Sequence, residues 1–209
     1  MTLIKICGIT NLNDALAALA AGADVLGFNF YKHSPRYITP YATRQIIERL
    51  PRAVLTVGVF VNEDSPEAVL DIANRAAIKA LQLHGDESPD YCRELATKTH
   101  VIKTLAVSDT FNPELAQSYE VDAIMLDTRD PRLRGGTGRV FDWSIARQVS
   151  ELVPKLYLAG GLSPENVADA INTVHPYAVD ACSALEDRPG IKNPERMRAF
   201  VDAVRSVKT

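Results

Sequence analysis

The chain lacks most of what would mark a metalloprotein, a membrane protein or a disulfide-knit scaffold. Its 209 residues hold three cysteines (Cys7, Cys92 and Cys182) and four histidines. No CxxC or HExxH spacing joins them, which sets aside a structural metal. An odd cysteine count without a framework points to a reducing, cytoplasmic setting. No apolar run approaches the roughly 20 residues that span a bilayer. The start, Met1-Thr2-Leu3-Ile4-Lys5, lacks a signal-peptide pattern and runs straight into a strand-like segment. Formal net charge is only −3, so there is no bulk electrostatic case for nucleic acid or an anionic membrane. Linkers, low-complexity segments and charge blocks are also missing, and residues 1–209 read as one domain.

What is present is alternation. With 46% hydrophobic and 23% charged residues, the composition fits a globular domain. Strand-like apolar runs recur near 3–7, 24–28, 54–60, 79–83, 100–105, 121–126, 155–159 and 177–181. Helical patterns follow near 11–21, 40–49, 65–75, 88–97, 112–118, 142–152, 163–173 and 193–206. Many helix starts pair a capping residue with proline: Thr39-Pro40, Ser65-Pro66, Ser88-Pro89, Asn112-Pro113, Ser163-Pro164 and Asn193-Pro194. Strict strand–helix alternation predicts a parallel sheet. Eight repeats without a break predict an α/β fold, a single (β/α)₈ TIM barrel with short loops. An open doubly wound sheet is the alternative. The absence of G-x-G-x-x-G after the first strand weakens its dinucleotide-binding form.

In such a barrel the chemistry sits at the carboxyl ends of the strands. The polar residues predicted there are Cys7 after the first strand, Asn29 and then Arg36 after the second, and His84 and Gly85 after the fourth. Asp127 follows the sixth, Gly160 and Gly161 the seventh, and Asp180, Cys182 and Ser183 lie at the eighth. A lone cysteine in an apolar strand ordinarily packs as a small hydrophobe. Lys5, two residues earlier on the same face and about 6–7 Å away, changes that reading. A lysine aimed into a barrel is costly to bury unless it serves something. Its ammonium would favour the Cys7 thiolate, a usable base or nucleophile. Asp127 closes the run Ala123-Ile124-Met125-Leu126, as a loop cap or as an acid. Arg36, among aromatic and proline residues, suits a bidentate clamp on a carboxylate.

Gly160-Gly161 before a helix start suits a phosphate, and barrels commonly bind phosphate with the loops after strands seven and eight. The Gly-rich segment 130–139 reads as a lid over substrate. Strands one and eight meet when the barrel closes, so Cys7 and Cys182 are expected at one mouth, where oxidation would join them if their Cα atoms lie within about 7 Å.

Together these segments resemble the phosphoribosylanthranilate isomerase family of tryptophan biosynthesis, over essentially the whole chain. The resemblance is carried by Lys5-Ile6-Cys7-Gly8-Ile9-Thr10, Gly27-Phe28-Asn29-Phe30-Tyr31 with Ser34-Pro35-Arg36-Tyr37, and Gly58-Val59-Phe60-Val61-Asn62. It continues through Leu81-Gln82-Leu83-His84-Gly85, Leu126-Asp127-Thr128, Gly135-Gly136-Thr137-Gly138 with Phe141-Asp142-Trp143, and Ala159-Gly160-Gly161-Leu162. It implies an Amadori rearrangement without cofactor or metal, on a small phosphorylated substrate, in the cytoplasm, by a monomer or homodimer. It implies Asp127 as general acid and Cys7 as general base, with Lys5, Arg36, His84 and Asp180 as substrate-binding residues. Gly160, Gly161, Ser183 and Ala184 are then the phosphate cradle. Ala184 stands where the family has glycine. It would be strained by roughly 1–2 kcal/mol if φ there were positive, and would fit if the backbone were helical. Two other readings stay open: the related histidine-pathway sugar-phosphate isomerase, and a phosphate-ligand binder without catalysis.

Overall fold

A computed structural model describes residues 1–108, 110–128 and 142–207. Eight parallel strands close into a barrel in chain order: β1 (Leu3–Ile6), β2 (Val25–Asn29), β3 (Leu55–Phe60), β4 (Ala80–Leu83), β5 (His100–Val107), β6 (Ala123–Thr128), β7 (Leu156–Leu158) and β8 (Ala178–Ala181). Helices α1 (Leu12–Ala21), α2 (Pro40–Ile47), α3 (Pro66–Ala76), α4 (Pro89–Ala96), α5 (Trp143–Leu152), α6 (Val167–Val174) and α7 (Pro194–Ser206) alternate with them. This is the expected (β/α)₈ barrel.

The strands read as unbroken apolar runs because both of their faces are buried. Inward positions Val25, Val57, Ala80, Ile102, Ala123, Met125, Tyr157 and Ala178 fill the barrel from its amino-terminal side. Outward positions such as Ile4, Ile6, Leu26, Phe28, Leu81 and Leu126 pack against the helices in a second core, which Phe200 of α7 completes. Each fully buried large aliphatic or aromatic side chain contributes about 1.5–3 kcal/mol, so the ring is held from inside and outside at once.

The predicted caps Thr39, Ser65, Ser88 and Asn193 accept from backbone N–H groups in the first turn of their helices, each with proline at the helix start. Two local expectations change, and a hairpin is added. Residues Pro113–Ser118 form a 3₁₀ helix, with only Ala116 buried, so there is no apolar face to reward longer α-helical winding. The helix expected from Ser163 starts at Val167, because Asn166 knots the chain first: its Oδ1 accepts from Ser163 N (2.8 Å) and its Nδ2 donates to Gly161 O (3.0 Å). A two-stranded hairpin, β9 (Glu186–Arg188) and β10 (Ile191–Lys192), follows β8 and turns at Pro189-Gly190.

Candidate active site

Along the inward-facing positions, side chains become polar toward the carboxyl ends of the strands. On β1 and just beyond it the order is Leu3, Lys5, Cys7. Along β4 it is Ala80, Gln82, His84, and along β6 Ala123, Met125, Asp127. From β8 it is Ala178, Asp180, Cys182. The polar members of these four series converge on one mouth of the barrel.

Closing the ring sets Lys5 opposite Asp180. The Lys5 Nζ donates to Asp180 Oδ1 at 2.9 Å, with the lysine side chain fully buried. Burial alone would lower the Lys5 pKa, but Asp180 and the nearby Cys7 outweigh it and hold the ammonium charged. Burial pushes Asp180 up to about 6 against the pull of Lys5, which leaves it ionised at neutral pH. Gly27 makes this approach possible: a methyl built there would lie 2.8 Å from Cys7 Sγ and 3.2 Å from Lys5 Nζ.

One residue past the paired Ile6 and Ala181, Cys7 N donates to Ala181 O at 3.0 Å. Cys7 and Cys182 therefore stand side by side, as expected. A hydrogen bond from Cys182 holds the Cys7 thiol well below the ordinary thiol range, with help from the Lys5 ammonium and against the cost of burial. The same bond and its own burial push Cys182 well up. Behind Cys182 lies a charged pair that sequence reading missed. Lys192, with its side chain fully buried, donates to Glu186 Oε1 (2.9 Å) and Cys182 O (2.9 Å), and its Nζ lies 3.7 Å from Cys182 Sγ. The signal available for this pair was the turn dipeptide Pro189-Gly190 between them.

Arg36 reaches the same cluster. Asn29 shapes its loop, accepting from Tyr31 N (2.9 Å) and donating to Ser34 Oγ (3.2 Å), and Ser34 Oγ accepts from Arg36 N (3.1 Å). The guanidinium grips Glu186 with Nε at 2.8 Å and Nη2 at 2.7 Å, a bidentate pair. Glu186 raises the Arg36 pKa further, so its charge is permanent. Among the described residues Nη1 has no protein partner, and that edge stays available to a ligand.

Across the mouth, Asp127 Oδ2 lies 3.3 Å from His84 Nε2, with both side chains about one-third exposed. The amide of Gln82 donates to His84 Nδ1 at 2.9 Å, so in the neutral ring Nε2 carries the hydrogen that faces Asp127. Burial would lower the His84 pKa; the hydrogen bond and charge of Asp127 overcome this and raise it. The sequence-predicted residues Lys5, Cys7, Arg36, His84, Asp127 and Asp180 thus share one edge, although Lys5 and Asp180 spend their charges chiefly on each other.

Gly160 and Gly161 have φ of +84° and +71°. A methyl on Gly160 would lie 2.7 Å from Thr128 N and 3.1 Å from Asp127 Oδ1, so this turn packs directly on the proposed acid. Ser183, Ala184 and Leu185 form a 3₁₀ turn, and φ at Ala184 is negative. Alanine therefore fits there without strain. None of the backbone N–H groups of Gly160, Gly161, Ser183 and Ala184 donates to a described residue. The expected lid, 130–139, and Arg129 lie outside the described residues. Two cavities of about 350 and 380 Å³ lie elsewhere, one beneath the barrel beside Thr2 and His175, the other on α2 and α3 around Tyr41. Neither gathers the facing acid, base and cationic groups of the mouth.

The family model for N-(5'-phosphoribosyl)anthranilate isomerase matches residues 4–203. A relative of that name from Syntrophus aciditrophicus is 47% identical over 205 residues, covering 98% of this chain and 88% of its own length. The crystal structure of phosphoribosyl anthranilate isomerase from Thermotoga maritima superposes with a TM-score of 0.92 at 45% identity, over 98% of this chain and 99% of its own. A further crystal structure, of phosphoribosyl anthranilate isomerase in complex with reduced 1-(o-carboxyphenylamino)-1-deoxyribulose 5-phosphate, has a TM-score of 0.89 and 43% identity, over 98% of this chain and 99% of its own.

Proposed function

The chain belongs to the N-(5'-phosphoribosyl)anthranilate isomerase family, and we propose that Cys7 and Asp127 divide the proton transfers of its reaction. It is an isomerase of tryptophan biosynthesis, turning N-(5'-phosphoribosyl)anthranilate into 1-(2-carboxyphenylamino)-1-deoxyribulose 5-phosphate. The observation that carries the assignment is that one sulfur and one carboxyl stand at the same mouth of the barrel. The sulfur is beside a buried ammonium and a donating thiol, and the carboxyl faces an imidazole across the mouth.

Asp127 gives its proton to the furanose ring oxygen. The bond from that oxygen to C1 breaks, and the nitrogen lone pair closes a C1=N double bond, so the ring opens to a Schiff base. Cys7 as thiolate takes the proton from C2. The electron pair of that C–H bond becomes the C1=C2 bond, and the C1=N pair returns to nitrogen, giving the enolamine. A proton then adds at C1, the hydroxyl on C2 loses its own, and the ketone remains. Atoms and electrons balance without an external reductant or oxidant.

The Nη1 edge of Arg36 takes the anthranilate carboxylate, in a geometry fixed from behind by Glu186. His84 lines the site and steers Asp127. Lys5 and Asp180 form its floor. The N–H groups of Gly160, Gly161, Ser183 and Ala184 point to a cradle for the phosphate. Residues 1–209 act as one catalytic domain, in the cytoplasm, as a monomer or homodimer. The free thiols fit a reducing setting, and no helix among the described residues is long and apolar enough to cross a membrane.

The test is turnover of freshly made substrate, followed by loss of anthranilate fluorescence. Cys7→Ala and Asp127→Asn are each expected to lower kcat by roughly 10²–10⁴-fold while still binding the reduced product analogue. Either variant with wild-type kcat would remove that residue from the assignment.

A further inference from the structure

We infer that Lys192 is a specificity-determining residue: by sharing Glu186 with Arg36, it leaves one positive charge unspent at the Arg36 edge, and that charge selects a ligand with a carboxylate. The inference rests on the reading of Arg36 as the carboxylate clamp.

A single carboxylate stands between two cations. Glu186 Oε2 accepts from Arg36 Nη2 at 2.7 Å, and Oε1 accepts from Arg36 Nε at 2.8 Å and from Lys192 Nζ at 2.9 Å. The Glu186 and Lys192 side chains are 3% and 0% exposed, so water and salt screen them little. Arg36, at 13%, is the member that chiefly meets solvent. Glu186 grips the guanidinium side-on, through Nε and Nη2. The end of the fork, with Nη1 and the second Nη2 hydrogen, donates to none of the described residues and has the spacing of a second carboxylate. Gly8 gives the arginine its room: a methyl built there would lie 2.8 Å from Arg36 Cδ.

The surrounding charges do not cancel the surplus. Lys5 is met by its own Asp180 at 2.9 Å. Asp14, in the first turn of α1, accepts from Lys192 N (2.8 Å) and Asn11 Nδ2 (2.8 Å). Arg196 of α7 donates to Glu186 O at 2.8 Å. Arg36, Lys192 and Arg196 set against Glu186 and Asp14 leave one positive charge. A ligand carboxylate on the fork brings the group to neutrality. Without Lys192, Arg36 and Glu186 form a neutral pair, and a second carboxylate meets no net attraction. Specificity is a difference between two affinities, and here a buried lysine that never touches the ligand supplies it. Lys192 Nζ also donates to Cys182 O at 2.9 Å, just ahead of the 3₁₀ turn at Ser183. Loss of that bond would weaken phosphorylated ligands alike, so the test compares two ligands with the same phosphate.

The ligands are the reduced product analogue and the same compound built from aniline, which lacks the carboxylate. Their Kd values are measured by isothermal titration calorimetry at pH 7, and the preference is the ratio of the two. Cys7→Ser is the common background, so charge on that sulfur does not enter. Lys192→Met is expected to cut the preference about tenfold. It strands no charge, because Glu186 keeps Arg36, and circular dichroism checks that it folds. Lys192→Gln, neutral but still a donor, is expected to lose the preference to a similar extent. Glu186→Gln/Lys192→Met returns a lone positive charge to Arg36 and is expected to recover most of the preference. A merely structural role for the Lys192–Glu186 bond would leave the double variant at least as poor as the single. Arg36→Met is expected to abolish the preference; if it does not, the clamp reading fails and takes the inference with it. If Arg36→Met loses the preference while either neutral Lys192 variant keeps it, the inference falls and the clamp stands. A double variant no better than Lys192→Met would overturn it as well.

Discussion

Glu87→Gln should be among the most destabilising single exchanges in this barrel, although Glu87 is not a proposed site residue. Glu87 Oε2 accepts from Lys103 Nζ at 2.6 Å, with the two side chains 2% and 1% exposed. Its carboxylate also accepts from Asn62 N (2.9 Å) and from Gly85 N (3.0 Å to Oε2), while Lys103 Nζ donates to Gly85 O at 2.7 Å. The pair therefore ties the loops after β3 and β4 to β5. Glutamine keeps the size and one acceptor oxygen but removes the charge, and Lys103 is left as an uncompensated buried ammonium. Removing one partner of a buried pair costs about 3–5 kcal/mol. In a domain of this size each kcal/mol moves Tm by roughly 2–4 °C, so the expected loss is about 6–20 °C. The assay is thermal unfolding by calorimetry at pH 7, with urea unfolding for the free energy. Glu87→Gln/Lys103→Met removes both charges and should recover most of the loss, because the penalty comes from the stranded charge. A Glu87→Gln protein melting within about 2 °C of wild type, under 1 kcal/mol, would refute the reasoning. So would a double variant whose losses simply add.

Three further outcomes are expected. His84 should titrate above its ordinary value of 6.5, seen in the NMR shift of its ring protons, and Asp127→Asn should drop it below, since burial is then the main remaining influence. The sign for stability follows: the His84–Asp127 contribution is in full below the ordinary histidine pKa and is lost as pH rises through the raised one. Ala184→Gly should leave KM unchanged, because the negative φ at Ala184 leaves no strain to relieve; a clearly lower KM would contradict the geometry. Mild hydrogen peroxide should remove the Cys7 and Cys182 thiols together, two thiols and one peroxide giving a disulfide and two waters. Activity should return with dithiothreitol, since neighbouring strands about 4.8 Å apart meet the Cα spacing a disulfide needs. Thiol counting with peptide mapping decides it, and loss of Cys7 alone would count against the pairing.

Much of the barrel was legible because its signals are local. A strand buried on both faces is a short apolar run, and serine, threonine or asparagine before proline announces most of the helices. The ten elements β1–β5 and α1–α4 with α7 follow such signals closely. Cys7, His84 and Asp127 could be placed at the mouth because each ends such a run. What escaped depends on closure. An inward Lys5 demanded a partner, but only the β1–β8 register makes that partner Asp180. Glu186 and Lys192 sit in short polar runs that look solvated until the Pro189-Gly190 turn folds them under the mouth. Arg36 was read as free to clamp a ligand, whereas half of its guanidinium is already held by Glu186. At Ser163 the proline signal was real but local, and the side chain of Asn166 overrode it.

The contact between Lys5 and Asp180 joins residues 175 positions apart. A growing chain carries Cys7 almost from its first moments, yet the ammonium beside it gains its carboxylate, and the sulfur its neighbouring thiol, only when the eighth strand arrives to seal the ring. Assembly and activation are therefore a single event in time. A partly made chain holds an ordinary, sluggish thiol, and the reactive sulfur exists only in a molecule that has finished folding.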